Sequence, residues 1–118
     1  MRNISFALTT PQIRARTKTV TRRLGWRFLL PKTLPYPLMA CKKCQGIKPG
    51  ELVRITPIQV VKVNVESLYD ITPYDVVREG FPNMSPDEFI EMFCKHMKVK
   101  PDREITRIEF EYVDGEGS

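Results

Sequence analysis

Arg14-Ala-Arg-Thr-Lys-Thr-Val-Thr-Arg-Arg-Leu-Gly-Trp26 is the stretch that decides which fold the chain can adopt. It holds five basic residues, three threonines and the only tryptophan. Its centre, residues 17–23, is rich in β-branched side chains, whose stiff χ1 suits a pleated strand, and Gly25-Trp26 ends the run. Guanidinium forks and hydroxyls are common donors to phosphate oxygens. A neighbouring indole can stack on an unpaired base. The plainer alternative is a solvated basic edge strand with Trp26 turned into the core, where large aromatics usually lie.

Upstream, residues 3–8 read as a strand. Thr10 then caps a short helix over residues 11–16, with Pro11 at its first position. Downstream, Pro31, Pro35, Pro37, Pro49, Gly46 and Gly50 crowd residues 31–50, which predicts an irregular loop. A loop of that length needs a function or an internal tie. Residues 51–55 and 59–65 read as two strands. In the second, Val61, Val63 and Val65 alternate with Lys62 and Asn64, the period of a half-buried strand. Residues 73–78 form a short helix stopped by Gly80. Ser85-Pro-Asp-Glu88 opens another, with Ser85 as cap and Glu88 completing a capping box, and it runs to Met97. Residues 104–113 read as a last strand and 114–118 as a polar tail. Five strands among such short helices predict an α+β fold, a small mixed β-barrel or curled sheet. Parallel doubly wound sheets need longer crossovers.

The length of 118 residues fits one domain, 1–118. With 42% hydrophobic residues, wholesale disorder is excluded. No apolar run approaches the roughly 20 residues of a membrane span, and the N-terminal apolar stretch is too short for a secretory leader. Three cysteines do not make a disulfide framework. The expectation is a cytoplasmic protein with no membrane partner. The net charge of +5 hides an asymmetry: residues 1–50 carry 11 Lys or Arg and no acid, whereas residues 51–118 carry 8 and 14. An acid-free basic half predicts a polyanionic partner, unless the halves neutralise each other across the fold.

Cys41-Lys-Lys-Cys44-Gln-Gly46 lies in the long loop, and Cys94-Lys-His96 lies near a helix end. A Cys-x-x-Cys knuckle is half of a tetrahedral zinc site. Cys41, Cys44, Cys94 and His96 would complete a structural Cys3His set that ties the loop down. Two residues two apart on a helix point nearly opposite ways, so the helix must unwind near Cys94 for this to happen. A redox pair, or three unrelated thiols and a surface histidine, are the alternatives.

Strand, short helix, then Thr17-Lys-Thr-Val-Thr-Arg-Arg23, followed by Lys48-Pro-Gly-Glu-Leu-Val53, resembles the ASCH domain family. Asp70-Ile-Thr-Pro-Tyr-Asp-Val-Val-Arg-Glu-Gly-Phe81 is similar to that family's second signature, and residues 106–112 fit its last strand. The wording is closest to small phage and prophage members. The resemblance covers most of the chain except a Cys-containing insertion at about 31–46. It implies a PUA-like β-barrel and a role with RNA or nucleotides. One branch of the family hydrolyses the acetyl amide of N4-acetylcytidine, and its lysine, threonine and glutamate fall on Lys18, Thr21 and Glu79.

Such chemistry needs an activated hydroxyl, a base and a proton donor. A desolvated lysine beside other cations has a lowered pKa and can serve as the base, while Glu79 relays the proton to the leaving amine. Positions three apart in a regular strand face opposite sides, so Lys18 and Thr21 converge only if the chain turns between them. Three functions follow. The first is binding of RNA, single-stranded, or of a nucleotide, in a basic cleft carrying Arg16, Lys18, Arg22, Arg23 and Trp26. The second is a small hydrolase, an amidohydrolase or ribonuclease. The third is a phage-encoded module that binds a host protein. No Gly-rich phosphate loop or Ser-His-Asp set is present.

Overall fold

A computed structural model describes residues 1–113, and the polar tail expected at 114–118 lies outside the described residues. Among the described residues are five strands, β1 (Arg2–Ser5), β2 (Val20–Arg23), β3 (Tyr36–Cys41), β4 (Arg54–Ser67) and β5 (Glu104–Tyr112). Three α-helices accompany them: α1 (Thr10–Arg14), α2 (Pro73–Arg78) and α3 (Pro86–Met97). One mixed sheet has the order β1-β3-β4-β5-β2. Only the β1–β3 pair is parallel.

The 14-residue β4 shapes the sheet. Its first half pairs with β3 and its second with β5, overlapping between Ile58 and Val60. Pairing with β5 passes from Val60↔Phe110 to Lys62↔Glu109, so Val61 is bulged. A bulge adds local twist. The sheet curls into a half-barrel until its edge strands β1 and β2 meet, and there Arg23 Nη2 donates to the Ser5 carbonyl.

The expected irregular loop is corrected here. Residues 36–41 are a strand inside the sheet, between β1 and β4, so backbone pairing ties down the proline-rich segment. Pro37 fits because β1 begins opposite Leu38, and on that side Pro37 has no neighbour to which an N–H would donate. The two strands expected over residues 51–65 are one. Pro57 sits inside it, one residue before pairing with β5 begins at Ile58. Thr10 is not the cap of α1. The cap position is Thr9, with no side-chain bond, and the Thr10 hydroxyl donates to the Phe6 carbonyl at 2.8 Å.

Alternation along the strands builds one core inside the curl, from Ile4, Phe6, Leu38, Ala40, Ile58, Val60, Ile108 and Phe110, sealed by Ile13 and Leu29. A second core lies between the sheet and the helices, where Ile105 meets Leu68, Ile71, Val76, Phe89, Ile90 and Phe93. Burying each such side chain contributes about 1.5–3 kcal/mol. The capping box of α3 is as the sequence predicts: Ser85 Oγ accepts from Glu88 N at 3.1 Å, and Glu88 Oε1 accepts from Ser85 N at 2.8 Å.

Helix α2 ends in a Schellman turn. Phe81 N donates to the Val76 carbonyl at 3.1 Å and Gly80 N to that of Val77 at 2.9 Å. Gly80 has φ +103°, and a Cβ there would come within 2.8 Å of Gln12 Cγ. Gly80→Ala is expected to cost about 1–3 kcal/mol in urea unfolding. Gln12→Ala in the same background should recover only the steric part.

Candidate functional site

The segment between α1 and β2 is pinned from two sides. Thr17 N donates to the Gln12 carbonyl of α1 at 2.9 Å, and Thr19 N to the Arg78 carbonyl at the end of α2 at 2.8 Å. Arg16 adopts a left-handed φ of 60° that turns the chain, and β2 begins only at Val20. Lys18 therefore precedes the strand, and the requirement of a turn between Lys18 and Thr21 is met. Lys18, Thr21 and Glu79 line one pocket of about 300 Å³.

Lys18 is 3% exposed and Glu79 2%. Lys18 Nζ donates at 2.7 Å to Glu79 Oε1 and at 2.7 Å to the Glu79 carbonyl. That carbonyl belongs to the last turn of α2, where a cation also meets the negative end of the helix dipole. Burial lowers the Lys18 pKa below its ordinary value, Glu79 opposes this, and the neighbouring Arg23 and Arg22 add to it. Thr21 Oγ1 accepts from Arg23 Nε at 3.2 Å. That bond leaves the hydroxyl proton available and places positive charge where an alkoxide would form. Among the described residues no hydrogen bond joins Lys18 to Thr21, so a proton passing between them travels through water or substrate.

Arg23 also lies over the Phe6 ring, 4.8 Å from its centroid, and 6.0 Å from that of Trp26. Burial lowers its pKa, opposed by Glu79 and Cys44. Trp26 is half-buried against the inner core and lines the pocket, so it is both a core residue and a pocket wall. The opposite wall comes from Phe81 and from the α3 residues Phe89, Met92 and Phe93. The cavity thus has a charged floor and aromatic or thioether sides.

Sequence reasoning missed the polar cluster behind the floor. Arg22 Nη2 donates to Asp75 Oδ2 at 2.6 Å and to Glu66 Oε2 at 2.8 Å, and its Nη1 to Glu79 Oε2 at 3.2 Å. Arg107 grips Asp75 with two bonds, Nε to Oδ2 at 2.8 Å and Nη2 to Oδ1 at 3.1 Å. Burial works against ionised Asp75, but the Arg107 and Arg22 bonds outweigh it and hold the carboxyl at about 2. Arg22 Nε is buried without a hydrogen-bond partner among the described residues. The signal available in sequence was Arg107, set between Ile105 and Ile108 on a strand otherwise bound for the core.

The expected basic face is corrected on these grounds. Lys18 and Arg22 are buried and ion-paired to acids of the other half, and Arg23 is spent on Thr21 and Ser5. Of that set only Arg16 is exposed. The two charge halves neutralise each other at this point.

The proposed metal ligands are not brought together. Cys41 is buried on β3 beside Cys44, and burial together with that neighbour pushes its thiol up to about 11. Cys94 packs against the second core, and burial raises its pKa too. His96 lines the pocket from α3. Helix α3 continues to Met97, so Cys94 and His96 diverge. Among the described residues no group of three or more His, Cys, Asp or Glu is placed to hold a metal ion. The donors do not fit a tetrahedral zinc. No helix among the described residues is long and apolar enough to cross a membrane.

No family model matches the chain, and no curated protein matches it. Solved structures do. Protein EF3133 from Enterococcus faecalis V583, of the family DUF984, shares 18% identity at a TM-score of 0.58, over 88% of this chain and 69% of that one. An ASCH domain from Lactobacillus crispatus JV V101 shares 12% at 0.58, over 94% and 78%. Hypothetical protein PH0355 shares 12% at 0.63, over 95% and 96%. At these identities the likeness is one of fold, an ASCH-like, PUA-like curled sheet with short helices.

Proposed function

We propose that the chain binds a nucleotide or an unpaired RNA base in the pocket floored by Lys18, Thr21 and Arg23. The observation that carries this is the pairing of the half-buried Trp26 ring, which lines the pocket, with buried polar groups at the floor. A planar base gains stacking energy from such a ring, about 1–3 kcal/mol, and its edge offers acceptors to Arg23 and Lys18 and a donor to Glu79. The size, about 300 Å³, is that of a small-ligand site. The ASCH domain among the structural neighbours supports the same reading.

Trp26 is the only tryptophan, so its fluorescence reports on the pocket directly. Titration with cytidine and with N4-acetylcytidine is expected to quench it saturably. Titration that leaves the emission unchanged, with no heat of binding by calorimetry, sinks the proposal.

A second reading is hydrolysis of an acyl amide on the bound base. What favours it is that Lys18, Thr21 and Glu79, drawn together only by resemblance in the sequence, share this pocket. In that reaction Thr21 Oγ forms a bond to the acyl carbon while its proton leaves toward Lys18. The carbon–nitrogen bond breaks, and the amine takes a proton by way of Glu79. Water then cleaves the acyl-threonine ester and restores the hydroxyl.

A further inference from the structure

The fold leaves one motif of the sequence unassigned, Cys41-Lys-Lys-Cys44, and makes its two thiols neighbours with unequal access. Cys41 ends β3, is fully buried, and its Sγ donates to the Met39 carbonyl at 3.5 Å. Cys44 follows a bend at Lys42 and is partly exposed. The two thiols lie within hydrogen-bonding reach of each other, and both are free. Lys42 and Lys43 between them are exposed, as is Arg54, which pairs with Cys41 from β4. Cys94 packs elsewhere, on α3 against the second core. An accessible thiol beside a buried one is the arrangement in which the first attacks a disulfide and the second resolves it. Clustered cations draw in an anionic reagent.

We propose that Cys41 and Cys44 form a reversible disulfide by exchange with an anionic low-molecular-weight disulfide, and that the change is felt in the pocket through Ser5 and Arg23. The Cys44 thiolate attacks one sulfur of the reagent, a mixed disulfide forms on Cys44, and one thiolate leaves. Cys41 then gives its proton to water and attacks the Cys44 sulfur, and the second thiolate leaves. Two electrons pass from the cysteines to the reagent, which ends as two thiols. The ring closes over the four residues 41–44, so it restrains little of the unfolded chain and acts as a switch, not a staple. The path to the pocket is short. Ser5 is the register partner of Cys41 on β1, and Phe6 N donates to the Cys41 carbonyl at 2.8 Å. The Ser5 carbonyl accepts from Arg23 Nη2, and both residues line the pocket. The exchange chemistry stands on the two thiols alone, whatever the pocket binds.

The test exposes the folded protein to oxidised glutathione, then counts thiols by alkylation under denaturing conditions and mass spectrometry. Two of the three thiols are expected to disappear into one disulfide joining Cys41 to Cys44, and dithiothreitol should restore both. Cys41→Ala, which keeps that site apolar, should retain glutathione on Cys44. Cys44→Ser should slow the reaction at least ~10-fold, because the remaining thiol is buried. Salt should slow the reaction with glutathione but not with uncharged hydroxyethyl disulfide, since it screens the lysines. The Trp26 emission maximum should move on oxidation, return on reduction, and stay in place in Cys44→Ser. Three thiols still open to alkylation, or a stable glutathione adduct in place of the internal bond, overturns the proposal. A salt-independent rate with glutathione overturns the anionic reagent. An internal disulfide with unmoved Trp26 emission overturns the link to the pocket.

Discussion

Asp75→Ala is expected to destabilise the protein by about 3–5 kcal/mol, lowering Tm by roughly 15 °C. Asp75 is the one acid bonded to Arg22, Arg107 and Arg78. Removing it leaves Arg22 with Glu66 and Glu79 and Arg107 with Glu109, so two buried guanidiniums each lose a charged partner and cannot adapt by losing a proton. The cost is therefore that of under-compensated buried charge, not of one missing contact. Arg78→Ala, whose partner pair is partly exposed, should cost less than about 1 kcal/mol. Urea unfolding of the two variants checks the contrast, and an Asp75→Ala protein within 1 kcal/mol of wild type would mean the cluster is not structural.

The same carboxylate sets an acid limit. Its folded pKa, about 2, lies below the ordinary value of 3.8. A depressed folded pKa contributes stability that is complete above the unfolded value and is lost as pH falls through the folded one. About 2 kcal/mol should thus disappear between roughly pH 4 and pH 2. Asp75→Asn should flatten that part of the stability profile.

If the pocket is hydrolytic, Thr21→Ala should reduce turnover of N4-acetylcytidine by about 10³-fold or more while nucleoside binding survives. Thr21 is buried, but its loss strands only one bond from Arg23, so the variant should fold. Glu79→Gln keeps the size of the side chain and an acceptor for Lys18, and should lose a comparable factor. Combining the two should cost little more than either alone, because members of one catalytic unit are not additive. Undiminished turnover in Thr21→Ala would remove the hydroxyl from the chemistry. Binding without turnover in wild type leaves the pocket a recognition site.

The parts of this fold that sequence reveals are those set by local rules. Helix α3 announces itself through Ser85, Pro86 and Glu88, and β4 through alternating valines, because caps and periodicity act over a few residues. Strand β3 does not, since Pro35, Pro37 and the nearby glycines carry loop chemistry. Pro37 is tolerated only because β1 stops one residue short of it, a fact about a partner more than thirty residues away. The site divides the same way. Lys18, Thr21 and Glu79 were drawn together by resemblance, and no local pattern joins residues 18 and 79. Basic density at Arg22 and Arg23 pointed to a surface, whereas Asp75, Glu66 and Glu79 neutralise Arg22 inside. Charge counted along a chain does not say which charges find each other across it. Nor does thiol spacing: Cys41 and Cys44 are neighbours, but an unbroken α3 keeps Cys94 and His96 from converging.

The bond from Arg23 to Ser5 closes a sheet that backbone pairing leaves open. Strands β1 and β2 have four residues each, and each would otherwise present a bare row of amides and carbonyls, a template on which a second chain can add. One guanidinium bridges these edges at the Ser5 carbonyl, and the same guanidinium lines the pocket. Under the proposed function, a ligand oxygen drawing on Arg23 would compete with that bridge, so one side chain would couple occupancy of the pocket to the opening of the sheet's seam.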